Sequence, residues 1–419
     1  MQSCWSAAGC CQWVFSLART GPRWSTGQKQ LRPDGKKLRE WGLLAAILGA
    51  AVWAILDGAV GVGQSAEITA PASAAYVQKR SGLPNLARIV LEAQEQAKAG
   101  TGHAARIVFL GGSATKPLRP EQEKNAWPGL LAGEIRRAIP GGSFGVFNHG
   151  LARSDSTLGA CRTQTDVVQH YMPLGLAVVE FAVDDAELSE ARVVAAMEGI
   201  VRQIRSAHPY ADILFVYAFS PKVWQAAGAD RAGGGSSGSA PPGQPASKPV
   251  LPPSIAWHER VAEHYGIPSV NVAQLVADRI AAGLLKPEEY GQDGLFPTEK
   301  AQQLFLEAFR PLLEDLKQSA QSAQQPGEKR RHPLPVPLST MPMEKARLVS
   351  YETAAVEAGW RMGQENPVDE FHYSSAVGRF RHLLTADQPG PTVTFRFYGT
   401  LVGTFGVLGP DSGNLEYQL

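Results

Sequence analysis

From Leu86 onward the apolar positions of this chain alternate between helical and strand periods. Residues 86–99 repeat their apolar side chains at helical spacing, and Ile107-Val108-Phe109-Leu110 follows as an unbroken apolar run. Such a run predicts a strand covered on both faces. The pattern then predicts helices over 128–138, 163–171, 187–208, 255–264, 276–282 and 299–316, and strands over 144–147, 176–183, 213–217 and 269–272. Only Glu180 interrupts the apolar run of 176–183. Strands with apolar cores alternating with helices predict an α/β domain whose parallel sheet is covered on both sides.

Two stretches break the alternation. Residues 227–253 are rich in Gly, Ser, Pro and Ala and are expected to form a flexible surface insertion. Residues 317–343 are polar and proline-bearing, with a basic knot at Lys329-Arg330-Arg331-His332, and are expected to be a solvated linker. Beyond it, residues 344–419 change character. Thr392-Val393-Thr394-Phe395-Arg396-Phe397-Tyr398 nearly alternates, and glycines punctuate the following runs. This is an antiparallel β pattern. With few clear strands, a partial β-sandwich-like module is expected, truncated or completed by a partner.

Composition narrows the function classes. The 419 residues carry 40 Lys and Arg against 39 Asp and Glu, a formal charge of +1. No basic stripe with interleaved aromatics is present, so no nucleic-acid partner is expected. Three of the four cysteines (Cys4, Cys10, Cys11) precede residue 12, leaving only Cys161 in the folded part. Neither a disulfide framework nor a cysteine metal site is expected there. Residues 41–56 are uncharged, follow Lys36-Lys37-Leu38-Arg39 and lead into small residues up to Ala75. This layout predicts a signal peptide over 41–75, and less readily a retained anchor over 41–63. Export to the periplasm or the exterior follows, with membrane contact only through an uncleaved segment. Residues 1–40 are expected to be an over-extended start or disordered.

The strand ending at Leu110 leads into Gly111-Gly112-Ser113, which places a serine where open parallel sheets hold their ligands. Taken alone, that serine is either a nucleophile or a helix cap. Three further blocks follow in order: Asn148-His149-Gly150-Leu151-Ala152-Arg153-Ser154, Val178-Val179-Glu180-Phe181-Ala182-Val183-Asp184-Asp185, and Asp293-Gly294-Leu295-Phe296. Together they resemble the SGNH, or GDSL-type, esterase and lipase family over residues 85–316. The resemblance implies a flavodoxin-like three-layer α/β/α hydrolase domain that uses no cofactor and no metal. It implies a small-molecule or glycan ester substrate carrying an acyl or O-acetyl group.

By that resemblance Ser113 is the nucleophile and Asp293 the acid that orients a histidine. Oxyanion-hole positions fall on Ser113, Arg153 and Asp184. Three of these positions depart from the family pattern. Phe296 stands where the family has its catalytic histidine and cannot accept a proton. Asp184 replaces an asparagine, and an ionised carboxylate accepts hydrogen bonds without donating any. Arg153 replaces a glycine. Two rescues are expected to be worth testing: Arg153 neutralising Asp184, and His149 acting as a surrogate base. His258 and His264, six residues apart on one helix, carry no metal-site spacing. Asp185 is expected to stabilise the loop of the third block. The resulting expectation is an ester hydrolase with impaired base chemistry; the alternative is a non-catalytic pseudoenzyme that binds a ligand or glycan.

Overall fold

The computed structural model describes residues 73–117, 122–170, 172–221, 223–224, 251–291, 296–323, 327–363, 383–406 and 413–418. Most of the expected signal segment, most of the 227–253 insertion and Asp293 lie outside the described residues.

A six-stranded sheet forms the centre. In chain order it contains β1 (Val77–Gln78), β2 (Ala105–Gly111), β3 (Phe144–Gly150), β4 (Leu174–Glu180), β5 (Asp212–Tyr217) and β6 (Ser269–Asn271). Its spatial order is β1-β6-β5-β4-β2-β3, with every pair parallel except β1 against β6. The five parallel strands therefore run in the flavodoxin-like order 2-1-3-4-5. All residues of β2, β4 and β5 are buried, which their continuous apolar runs require.

Helices cover both faces. One layer holds α1 (Leu86–Lys98), α2 (Trp127–Ala138), α6 (Val272–Ala281) and the long α8 (Glu299–Ala323), with the short α7 (Pro287–Tyr290) beside α8. The other holds α3 (Ser156–Thr163), α4 (Glu190–Ala207) and α5 (Pro253–His264). The helix expected over 163–171 instead begins at Ser156, where Asp155 caps it by accepting the Leu158 N–H, and it passes into a π-helical turn over Gln164–Val168. Side-chain capping outweighed the apolar period there. Among the described residues no helix is long and apolar enough to cross a membrane.

The segment expected to be a solvated linker is divided between two structures. Its first residues extend α8 to Ala323, and residues 327–348 lie as a strap across α4. His332 is buried and pairs with Asp212 at 2.8 Å. Glu198 accepts the Leu338 and Ser339 N–H groups, and Arg202 and Arg205 donate to the Pro335 and Pro333 carbonyls. Gly199 lets the strap approach: a Cβ there would stand 2.5 Å from the Met343 carbonyl carbon.

After the strap come two small antiparallel pairs. These are β7 (Ala355–Val356) with β10 (Val393–Thr394), and β8 (Trp360–Gly363) with β9 (Leu383–Ala386). They share a small core around Tyr351 and Leu384. The alternating run 392–398 forms a strand only at Val393–Thr394, and the described residues of 413–418 form none.

Candidate active site

The order reverses at β2, which has β3 on one side and β4 on the other. The crevice beyond the carboxyl ends of these strands is the switch point of the sheet. Ser113 follows β2 there, Arg153 follows β3 and Asp184 follows β4. The structure thus brings Arg153 and Asp184, 40 and 71 positions away in the sequence, onto Ser113.

Their contacts are short. The Ser113 N–H donates to Asp184 Oδ2 at 2.7 Å and Ser113 Oγ donates to Asp184 Oδ1 at 2.8 Å. The Arg153 N–H donates to Ser113 Oγ at 2.8 Å. Arg153 is held at φ +57°, in the left-handed region where glycine is at ease. Its side chain is exposed. Asp184 forms no ion pair with Arg153 among the described residues, so the expected neutralisation by that cation is not made.

Two glycines make the approach possible. A Cβ on Gly111 would stand 2.1 Å from Thr115 Oγ1, and one on Gly112 would stand 2.0 Å from Asp184 Oδ2. The turn is held from several sides. Trp127 Nε1 donates to the Ala114 carbonyl, Asn148 Nδ2 to the Thr115 carbonyl, and buried Arg162 to the Gly111 and His149 carbonyls. None of Trp127, Asn148 or Arg162 was singled out as a turn-holding residue by sequence reasoning. Arg162 could have been suspected from a cation on the apolar face of α3.

The electrostatics are those of a buried acidic cluster. Burial pushes the Asp184 carboxyl up to about 6, against the two Ser113 hydrogen bonds that pull it down; Asp185 and Asp155 add to the rise. Burial likewise pushes Glu180, at the end of β4, up to about 8, and it accepts the Thr115 hydroxyl at 2.9 Å. Burial also raises Asp155. Asp185 accepts the Ser156 N–H at 2.8 Å and pairs with His258 Nε2 at 2.7 Å, both side chains fully buried. His258 is thus a core residue that fixes the loop carrying Asp184. Asp185 has the loop-stabilising position expected of it.

Among the described residues His149 makes no hydrogen bond to Ser113 Oγ. Its backbone lies on β3 and its Nδ1 stands 4.0 Å from Asp166 Oδ2, while the hydrogen bonds of Ser113 Oγ go to Asp184 and the Arg153 N–H. Phe296 is half-buried just before α8. Among the described residues no group of three His, Cys, Asp or Glu side chains is arranged to hold a metal ion.

No protein-family model matches this chain, and no curated protein matches it. Solved structures do. A two-domain esterase active on acetylated mannans, co-crystallised with mannopentaose, superposes with a TM-score of 0.53 at 19% identity, covering 73% of this chain and 70% of that one. The chain has the SGNH/GDSL-type esterase fold. Two other similar structures match about half of this chain. One is Axe2, an acetylxylan esterase from Geobacillus stearothermophilus (TM-score 0.37, 14% identity, 50% of this chain and 93% of that one). The other is a protein from Desulfitobacterium hafniense described as lipolytic, of the G-D-S-L family (TM-score 0.35, 16% identity, 49% and 98%).

Proposed function

We propose that this SGNH-fold chain is an exported ester hydrolase that acts slowly, through Ser113, on O-acylated carbohydrate. One observation carries the reading. The Ser113 hydroxyl sits at the switch point of the sheet, oriented by the Arg153 N–H and bonded to a carboxylate. Acetylated mannans and acetylxylan are the substrates named for two of the similar structures, which supports a glycan O-acetyl ester as the substrate class.

Slowness follows from the oxyanion donors. Of the three positions, the Ser113 N–H is occupied by Asp184, and Asp184 itself presents acceptors when ionised. Only the Arg153 N–H remains, and at rest it donates to Ser113 Oγ. Loss of one such donor slows acyl transfer by about 10²–10³-fold, so two lost donors imply at least ~10⁴-fold. Asp293 stays in the proposed site by the resemblance, with no histidine at position 296 for it to orient.

A second reading is a non-catalytic module that binds a ligand or glycan. It is favoured by the full burial of Ser113. Hydrolysis of p-nitrophenyl acetate, and acetate release from acetylated manno- and xylo-oligosaccharides, separate the two when the full chain is run beside Ser113→Ala. A slow rate lost in Ser113→Ala supports the hydrolase. Equal rates in both proteins overturn it and leave the binding module.

A further inference from the structure

We propose that Asp184 is the general base of the Ser113 site, taking the hydroxyl proton that an imidazole takes in the resembled family. The inference rests on the Ser113-dependent hydrolysis proposed above. A general base must lie within hydrogen-bond reach of the proton it removes and be about as basic as the working pH allows. Asp184 Oδ1 accepts the Ser113 Oγ proton at 2.8 Å, and among the described residues no histidine is hydrogen-bonded to that oxygen. Its carboxyl is pushed up to about 6, close to the ordinary histidine value of about 6.5. In basicity the carboxylate therefore comes close to the missing ring.

The placement is a coordinated exchange. Oδ2 of Asp184 holds the Ser113 N–H while Oδ1 holds the hydroxyl, and this bidentate pose needs the space that Gly112 leaves empty. With a side chain at 112 the carboxylate could not sit there. Gly112, Asp184 and Phe296 thus read as one altered proton path, in which the family's imidazole position has become apolar and its asparagine position basic.

The chemistry balances with water as the only co-reactant. Ser113 Oγ bonds to the acyl carbon as its proton passes to Asp184 Oδ1 and the carbonyl π pair moves onto oxygen. The Arg153 N–H, released from Ser113 Oγ as that oxygen bonds to carbon, is the donor left for the oxyanion. Collapse breaks the bond to the alcohol oxygen, which departs with the proton from Asp184. Water then attacks the acyl-serine, gives its proton to Asp184, and the collapsing intermediate returns that proton to Ser113 as the acid leaves.

Charged groups face Asp184 from each neighbouring element: Glu180 from β4, Asp185 from its own loop and Asp155 from the cap of α3. Arg153 lies on the loop after β3, and Lys116 ends the turn that carries Ser113. Burial and the neighbouring Asp184 charge push Glu180 higher still, to about 8, so it is expected to ionise at higher pH than Asp184.

The test is the rate of p-nitrophenyl acetate hydrolysis by the full chain between about pH 4 and 9, with Ser113→Ala subtracted. The Ser113-dependent rate is expected to rise through about pH 6 and level off, and Glu180→Gln should leave that limb in place. Asp184→Asn should lower the plateau about 100-fold or more and erase the limb. Gly112→Ala, which pushes the carboxylate aside while keeping it, should lower the plateau as well. Thermal melts confirm that each variant folds, and the wild-type limb stands as a readout that needs no variant at position 184. A Ser113-dependent rate unchanged or raised in Asp184→Asn, or flat with pH in the wild type, overturns the base and leaves the hydrolase standing. Turnover that never depends on Ser113 overturns both.

Discussion

Gly112 and Asp184 fit one another: a Cβ on Gly112 would stand 2.0 Å from Asp184 Oδ2, well inside contact distance. The bare glycine is what lets a carboxylate reach both the N–H and the hydroxyl of Ser113. Burial of that carboxylate, with Asp185 and Asp155 nearby, raises its proton affinity. The same arrangement makes the site basic and the fold strained, and stability and activity should respond in opposite directions.

Asp184→Asn should stabilise the protein at neutral pH. The folded carboxyl titrates near 6 against 3.8 for an ordinary aspartate, so the folded state holds the extra proton and loses relative stability as pH rises between those values. The variant lacks this loss. The expected gain is on the order of 3 kcal/mol at pH 7.5, shrinking to nothing below about pH 4. Urea melts of the two proteins at both pH values check it.

Glu180 carries the same sign over a wider window. Its carboxyl stands near 8 when folded against 4.5 ordinarily, so its contribution is full below 4.5 and falls away as pH rises to about 8. Glu180→Gln should therefore gain on the wild type by roughly 4–5 kcal/mol between about pH 4.5 and 8, and no further above that. Parallel stability curves of the two proteins across this range would contradict the assignment.

The strap should behave as part of the hydrolase-like domain. Gly199→Ala ordinarily adds about 1 kcal/mol to a helix. Here the methyl meets the Met343 backbone at 2.5 Å, and the variant is expected to lose at least ~1 kcal/mol by overpacking. Limited proteolysis should then cut within 327–348. A fragment ending at Leu316 leaves the Glu198 carboxylate without the Leu338 and Ser339 N–H groups, and it should melt well below one ending at Leu348.

His258→Ala removes the partner of a fully buried carboxylate, Asp185, leaving one oxygen of the pair to the Ser156 N–H. An expected loss of about 3 kcal/mol follows from the stranded charge and the cavity together. Because Asp185 adjoins Asp184, the Ser113-dependent rate should fall too. A melting temperature equal to the wild type would show that His258 holds nothing.

Much of the fold was legible in the alternation of periods. The five expected strands became parallel strands, because mostly apolar segments alternating with helices are buried on both faces of one sheet. The strap was not legible. Its proline-bearing polar run reads as solvated, and its partners Glu198, Arg202 and Arg205 lie more than a hundred residues upstream. The usable signal was on α4, where Glu198 and Gln203 interrupt the stripe of Val194, Met197 and Val201 and so mark a second surface packed over the helix. At the site, the placements of Ser113, Arg153 and Asp184 were legible as blocks, but the mutual geometry was not. That an aspartate would take both hydrogen bonds of Ser113 depends on the space at Gly112, which spacing alone does not reveal.

The most direct measurement is the intact mass of the full chain after incubation with p-nitrophenyl acetate near pH 7.5, followed by peptide mapping. An oriented hydroxyl with a carboxylate base predicts one acetyl group on the Ser113 peptide, gone in Ser113→Ala and strongly diminished in Asp184→Asn. No acetylation at Ser113, or equal labelling of other hydroxyl residues in all three proteins, would contradict a hydrolytic role for this site.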